Sequence, residues 1–162
     1  MQIVKQFLPV FIEYLEKNTF TKEPKELYDP VNYIMSLGGK RLRPLMVLAA
    51  CDLFETSYKE ALPAALAVEI FHNFSLVHDD IMDDAPLRRG KPTVHILYDT
   101  NTAILSGDVM LILAYEYLCK TTDVSNLPRL LNLFNAISVK VCEGQQYDMN
   151  FEVSQEVSIE DY

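Results

Sequence analysis

Hydrophobic residues recur at intervals of three and four positions along most of the chain, and this spacing predicts a helical protein. The first segment shows the pattern clearly, because its apolar side chains fall on one face at Phe7, Val10, Phe11, Tyr14 and Leu15. The same spacing predicts further helices over residues 30–38, 44–54, 61–83, 101–120 and 128–147. Only residues 149–153 alternate as a β-strand would, and that segment is too short to change an all-α prediction.

Polar residues and glycines mark where several of these helices begin or end. Asp29 followed by Pro30 is typical of an N-cap and a first helical residue, and Gly38-Gly39 would end that short helix. Residues 57–60 form a Ser-x-x-Glu capping box ahead of the long apolar helix. Ser158 is a further N-cap residue followed by acids, so we expect the chain to stop at the start of its next helix.

Composition narrows the class of protein. With 49% hydrophobic and 23% charged residues, the chain is predicted to be globular rather than disordered. A net charge of −9 argues against a general nucleic-acid binder, which must neutralise phosphates. Five glycines are few for a β-sandwich or barrel, which needs many tight turns. The sequence shows neither a cysteine framework nor a signal peptide nor a long apolar run, so we expect a cytoplasmic protein with no stable membrane anchor.

An acidic cluster ends the long apolar helix, where four carboxylates fall within residues 79–84. Asp79 and Asp83 are one helical turn apart and project from one face, which His72 shares two turns earlier. Like charges at this spacing destabilise a helix by a few tenths of a kcal/mol per pair, so we expect a cation to compensate them. Mg²⁺ suits this set, because it takes one or two carboxylates together with substrate phosphates. The alternative is an acidic helix end that faces water.

Basic residues are concentrated in two loops that contain glycine. These loops have the sequences Gly38-Gly39-Lys40-Arg41-Leu42-Arg43-Pro44 and Arg88-Arg89-Gly90-Lys91-Pro92. Arginine binds phosphate through two parallel hydrogen bonds, and glycine lets backbone N–H groups approach an anion. The alternative is a surface cluster that pairs with the acids. Two basic loops together with one acidic cluster favour a diphosphate site, with metal on one side and arginines on the other.

Four motifs in order make the sequence resemble the trans-isoprenyl diphosphate synthase (polyprenyl synthetase) family. Residues 38–44 resemble its GGKRxRP motif, residues 79–83 its first DDxxD motif, residues 87–93 its LRRGKPT motif and residues 144–148 its GQxxD motif. The resemblance implies an all-helical fold around a central cavity. It also implies an enzyme that condenses isopentenyl diphosphate with an allylic diphosphate and takes Mg²⁺ as cofactor.

The resemblance further implies catalytic and metal-binding roles beside the acidic cluster. Asp79 and Asp83 would ligate Mg²⁺ on the allylic diphosphate, with Asp80 supporting them at the metal site. Arg88 would contact the same diphosphate. These groups would neutralise the departing diphosphate, which allows the allylic C–O bond to ionise.

The remaining implied roles concern substrate binding and product length. The isopentenyl diphosphate would be held by Lys40, Arg43, His72 and Arg89. Gln145 and Asp148 would line the lower cavity or support the groups that touch substrate. Phe74 and Ser75, just before the DDxxD motif, would set the cavity floor and give a short-chain product of the farnesyl or geranylgeranyl diphosphate type.

The sequence departs from the family pattern in its second half. No second DDxxD motif follows Asp84, and the lysine expected after GQxxD is absent. Residues 1–162 are therefore expected to be the N-terminal portion of a synthase domain, forming an incomplete bundle that is inactive alone, with a homodimer as the expected assembly. Two alternatives stay open: a non-catalytic regulatory or structural subunit of a prenyl synthase, and a metal-dependent HD-type phosphohydrolase built on His72, His78 and Asp79.

Overall fold

The structure is a computed structural model that describes residues 2–121, 124–154 and 157–159. Helices dominate these ranges, which confirms the all-α prediction. The elements are α1 (Gln2–Lys17), α2 (Lys25–Ser36), α3 (Leu42–Leu53), α4 (Leu62–Met82), β1 (Leu87–Arg88), β2 (Lys91–Pro92), α5 (Val94–Leu97), α6 (Thr100–Leu118) and α7 (Leu127–Glu152). None of the helices described here is long and apolar enough to cross a membrane.

Helix α4 is the central element of the first compact unit, Met1–Thr122. It packs along α6 and also contacts α1, α2, α3 and α5. A helix surrounded in this way must be apolar on several faces, and α4 buries Leu66, Ile70 and Val77 completely or nearly so. The other fully or nearly fully buried large side chains come from the surrounding helices: Phe7, Phe11, Val31, Ile34, Leu45, Leu48, Met110 and Leu118.

Helix α2 begins one turn earlier than the sequence predicted. It starts at Lys25, so Asp29 and Pro30 lie inside the helix rather than at its N-cap. The ring of Pro30 removes one backbone N–H from the helical hydrogen bonds, a loss that an isolated helix would avoid. Here Pro30 is buried, and the Asn32 side chain bonds both backbone groups of Phe20 at 3.0 and 2.9 Å. Tertiary packing therefore decides where this helix begins.

The long apolar helix begins where it was predicted, but the predicted capping box does not start it. Helix α4 begins at Leu62 with Ala61 as its N-cap, and no side chain caps it. Ser57 and Glu60 instead belong to a preceding turn, in which the Glu60 N–H donates to the Ser57 carbonyl at 3.0 Å. Pro63 lies in the first helical turn, where its missing N–H needs no partner and its fixed φ favours the helix.

The charged segment after α4 was predicted as a loop and contains a short antiparallel hairpin, β1–β2. Its two turn residues, Arg89 and Gly90, both have positive φ (54° and 76°), the combination found in two-residue turns that match strand twist. Thr93 closes the base of the hairpin: it is buried, its hydroxyl donates to the Ala85 carbonyl at 2.7 Å, and its N–H donates to the Pro86 carbonyl at 3.2 Å.

The second compact unit, Asp123–Tyr162, contains a short 3₁₀ turn (Val124–Asn126) and α7. The strand-like alternation over residues 149–153 was misleading, because α7 continues through Glu152. A single strand without a partner would leave the backbone groups of these residues without strand hydrogen bonds. Continuing the helix instead adds one backbone hydrogen bond per residue. Ser158 lies outside α7, and residues 160–162, where another helix was expected to start, are outside the described ranges.

Candidate functional site

A basic cavity of about 360 Å³ lies between three elements of the first unit. They are the loop before α3 (residues 38–41, here called the glycine loop), helix α4 and the hairpin turn at Arg89. It is lined by Gly39, Lys40, Arg41, Leu42, Arg43, Glu69, His72 and Arg89. All four residues expected to hold isopentenyl diphosphate therefore meet in one place. Within the described ranges, Lys40, Arg43 and Arg89 have no carboxylate partner in an ion pair, so pairing with the acidic cluster does not explain them. Their charges are available to an anion.

One arginine of the glycine loop is buried and has a different task. Arg41 adopts a left-handed backbone (φ 49°) at the N-cap of α3, and its guanidinium pairs with the Glu69 carboxylate. Both side chains are 3% exposed, and the guanidinium also donates to the Met35 carbonyl at 2.5 Å. Glu69 in turn accepts from the Asn73 amide at 3.2 Å. A buried charge needs such partners, so this pair fixes the glycine loop to α4.

Sequence reasoning missed Glu69 and did not separate Arg41 from its basic neighbours. A signal was present, since Glu69 is the one acid between Leu62 and His72 in an otherwise apolar helix. An acid at such a position calls for a buried cation as partner.

The hairpin turn docks directly on the glycine loop. The Arg89 guanidinium donates to the Gly38 carbonyl. Gly39 has φ +121°, and a Cβ added there would lie 2.8 Å from the Arg89 Cζ atom. A Cβ at residue 39 would displace the Arg89 guanidinium. The close approach brings the hairpin and the glycine loop together as two walls of the basic cavity.

His72 contributes its imidazole ring to this cavity. Burial lowers the pKa of His72 from its ordinary value, and the positive charge of Arg43 lowers it further. The Arg43 Nη1 atom lies 3.3 Å from the His72 Nε2 atom. A neutral ring accepts this hydrogen bond, and it leaves the other ring nitrogen to carry the proton.

Arg88 of the hairpin is a cation that pairs with the acidic cluster. Arg88 binds the Asp80 carboxylate at 2.8 Å from Nε and 2.7 Å from Nη2, and Nη2 lies 3.2 Å from Asp79 Oδ2. The hydrogen bond that Arg88 donates to Asp80 raises the pKa of Arg88, against the opposing effect of burial. The Asp80 side chain is only 2% exposed, so its geometry fits holding Arg88 better than facing solvent as a metal ligand.

Asp79 and Asp83 keep the geometry that the sequence predicted for a metal. The Asp83 N–H donates to the Asp79 carbonyl at 2.9 Å, so the helical relation persists to Asp83 and the two side chains share a face. Across the described ranges, no group of three or more His, Cys, Asp or Glu side chains could hold a metal alone. Two hard oxygen donors a turn apart fit Mg²⁺ when phosphate oxygens supply its other ligands.

Residues expected to set product length lie on α4 between the two charged regions. The Phe74 ring contacts Phe71 and His78, with ring centroids 5.5 and 4.9 Å apart. The Ser75 hydroxyl donates to the His72 carbonyl at 2.8 Å. Both side chains are partly exposed.

The remaining predicted site residues, Gln145 and Asp148, lie on α7 in the second unit, where Gln145 is partly buried and Asp148 is exposed. The role of both residues stays a prediction.

Comparison with known proteins agrees with the motifs. The family model described as Polyprenyl synthetase matches residues 24–162. The chain is 38% identical to a geranylgeranyl pyrophosphate synthase of Geoglobus acetivorans over 99% of its length and 51% of that relative. It is 43% identical to a geranylgeranyl diphosphate synthase of Methanosarcina mazei over 86% of its length and 43% of that relative. The chain thus spans about half the length of these curated relatives.

The fold agrees as well. The solved structure of the Geoglobus acetivorans geranylgeranyl pyrophosphate synthetase superimposes with a TM-score of 0.95 at 38% identity, covering 99% of this chain and 53% of that one. A second crystal structure, of a geranylgeranyl pyrophosphate synthase, gives a TM-score of 0.94 at 48% identity, covering 98% and 48%. Sequence motifs, family model and fold lead to one conclusion: this chain belongs to the polyprenyl synthetase family.

Proposed function

We propose that this chain is the N-terminal portion of a short-chain trans-isoprenyl diphosphate synthase, which condenses isopentenyl diphosphate with an allylic diphosphate. One observation supports this most directly. Arg88 and Arg89 are adjacent in the hairpin, yet Arg88 binds the carboxylates at the end of α4 while Arg89 helps to line the basic cavity. Two anion-handling regions therefore lie side by side, as a reaction between two diphosphates requires.

Each of the two regions binds a different diphosphate substrate. Lys40, Arg43, Arg89 and His72 hold the isopentenyl diphosphate in the basic cavity. The allylic diphosphate would bind beside the acidic cluster, where Arg88 would contact it and Asp79 and Asp83 would hold Mg²⁺. Asp80 keeps Arg88 in place. When bound, Mg²⁺ neutralises charge that develops on the leaving diphosphate.

The reaction requires stabilisation of the leaving diphosphate and exclusion of water from the site. The allylic C–O bond breaks when its leaving diphosphate is stabilised, and Arg88 supplies part of that stabilisation from a position fixed by Asp80. The isopentenyl double bond attacks the allylic cation, and loss of a proton restores a double bond. Apolar side chains on α4, among them Phe74, exclude water that would otherwise capture the cation.

Removing the Asp79 carboxylate tests this assignment. Titration of geranyl diphosphate into the chain, with and without Mg²⁺, should show metal-dependent affinity that Asp79→Ala abolishes. Asp84→Asn is the matched control, because Asp84 belongs to the same cluster but not to the Asp79–Asp83 face. Equal affinity with and without Mg²⁺, or an unaffected Asp79→Ala variant, contradicts the metal role.

Product length is proposed to depend on Phe74 and Ser75 as the cavity floor, with farnesyl or geranylgeranyl diphosphate as product. In the full-length enzyme, Phe74→Ala should lengthen the product by at least one isoprene unit. An unchanged product contradicts this assignment.

The proposed assembly is a homodimer that acts in the cytoplasm. Helix α6 carries Leu105 and Ile112, which are 60% and 65% exposed and lie seven residues apart on one face. A second copy could cover this face. Analytical ultracentrifugation of the full-length protein should show a dimer that Leu105→Lys weakens, and a monomer would contradict the assembly.

A further inference from the structure

We propose that Tyr33 is a positioning residue for the basic cavity and acts on it through the hairpin. The role rests on the proposed diphosphate site. Tyr33 lies on α2 and does not line the cavity. Its hydroxyl donates to the Pro92 carbonyl of strand β2 at 2.7 Å. This bond joins two segments that are far apart in sequence.

The bond connects both walls of the cavity. Helix α2 ends at Ser36, just before Gly38 and Gly39, so Tyr33 belongs to the helix that delivers the glycine loop. Pro92 belongs to the strand that follows the Arg89-Gly90 turn. The Tyr33 hydrogen bond therefore sets the distance between the glycine loop and the hairpin at one point. The contact between Arg89 and Gly38 sets it at another.

The hairpin needs such an anchor because it is very short. Each strand has two residues, and an isolated two-stranded hairpin is marginal in water even when longer. Thr93 holds its base, and Arg88 holds it to α4. Tyr33 holds strand β2 to α2 through its hydrogen bond to Pro92.

The Tyr33 ring is itself held in place. It packs edge-on against the Tyr98 ring, with centroids 6.1 Å apart and planes at 72°. The hydroxyl is therefore presented to Pro92 from a fixed ring, and removing the hydroxyl alone leaves this packing intact.

Tyr33→Phe tests the proposal by deleting one hydroxyl. The affinity of the chain for inorganic pyrophosphate, measured by calorimetry, should fall roughly three- to tenfold, the worth of about one net hydrogen bond. Tyr117→Phe is the matched control: its hydroxyl donates to Asn18 Oδ1 at 3.0 Å in another part of the same unit. The control should lose a comparable amount of stability and keep its pyrophosphate affinity.

A double-mutant cycle separates positioning from general destabilisation. If Tyr33 acts through Arg89, then Tyr33→Phe should have little further effect on pyrophosphate affinity in an Arg89→Gln background. Additive losses, or equal losses in Tyr33→Phe and Tyr117→Phe, overturn the positioning role. Pyrophosphate binding that is unchanged in Tyr33→Phe overturns this role alone. No binding by the unmodified chain contradicts the proposed function and this role with it.

Discussion

Gly38 and Gly39 let the glycine loop approach an arginine side chain. Both have positive φ (+77° and +121°), but only at Gly39 would a Cβ meet a neighbour, the Arg89 guanidinium. We expect Gly39→Ala to lower the free energy of unfolding by about 1–3 kcal/mol from backbone strain, and to weaken pyrophosphate binding because Arg89 must move.

Gly38→Ala is the matched control, since nothing lies within 4 Å of the added methyl group. It should lower the free energy of unfolding by about 1–2 kcal/mol, because alanine is strained in the left-handed backbone conformation of residue 38. It should leave the affinity for pyrophosphate unchanged. Urea unfolding and calorimetry measure the two quantities. Equal pyrophosphate losses in both variants would show that strain, not the Arg89 contact, controls the cavity.

His72 makes stability depend on pH. The pKa of His72 is lowered in the folded chain by burial and Arg43. As the pH drops, the unfolded chain therefore protonates His72 before the folded chain does. The contribution of His72 to stability is lost as the pH falls through about 6.5, the pKa in the unfolded chain, towards the lower pKa in the folded chain. We expect His72→Gln to remove this component of the pH dependence of urea unfolding. A variant with the same slope as the unmodified chain contradicts the assignment.

The same histidine should take up a proton when an anion binds. A diphosphate beside His72 raises its pKa again, because it stabilises the charged ring. We expect pyrophosphate binding near pH 6.5 to be accompanied by proton uptake. Calorimetry in two buffers of different ionisation enthalpy measures that uptake, and it should be smaller in His72→Gln.

Among the helices, α4 packs the ring of His78 directly against Gly107 of α6. The His78 ring of α4 occupies the space of a Cβ there, and its Nε2 atom lies 3.4 Å from Asp108 Oδ1. Asp108 is thus an exposed partner of His78. Gly107 is required by packing, since any side chain would displace His78 or separate the helices.

Gly107→Ala should therefore destabilise the first unit by about 1–3 kcal/mol, the usual effect of overpacking. Gly144→Ala is the matched control in the middle of α7, where a Cβ meets nothing within 4 Å. It should stabilise by about 0.5–1 kcal/mol, because alanine favours helix interiors over glycine. Thermal unfolding measures both, and a Gly107→Ala variant as stable as the parent contradicts the close approach.

The helices could be predicted because their periodicity is local. Their boundaries depended on tertiary contacts: Pro30 lies inside α2 because the core buries it. The hairpin turn was not predicted, because Arg89 adopts positive φ without being glycine. The sequence indicated which charge types lie near the candidate site, and the roles of these residues stay predictions. Which side chains pair, as Arg41 with Glu69, depends on which ones face inward, and a motif does not contain that information.

For the whole molecule, exposed apolar side chains predict self-association. Leu133 and Ile137 on α7 are 59% and 50% exposed, and Met46 and Phe54 in the first unit are 70% and 78% exposed. Burying such surface is worth roughly 25 cal/mol per Å². We expect the 162-residue chain alone to associate, and to show no condensation of isopentenyl diphosphate, because it contains one aspartate-rich motif.

Light scattering and a radiolabel assay with geranyl diphosphate check both expectations on one sample. Ile137→Lys should reduce association, whereas Lys140→Gln, an exposed polar change on the same helix, should not. Turnover by a monomer of this length would contradict the prediction.

The two-residue hairpin turn also constrains which changes in chain length this fold tolerates. Arg88 and Arg89 are neighbours, yet Arg88 binds the Asp80 carboxylate at the end of α4 while Arg89 lines the basic cavity. Inserting or deleting one residue in strand β1 would shift the register and turn each side chain to the opposite face. The acidic cluster and the basic cavity would then lose their arginine at once. We therefore expect this segment to accept substitutions at Lys91 far more readily than any single-residue insertion.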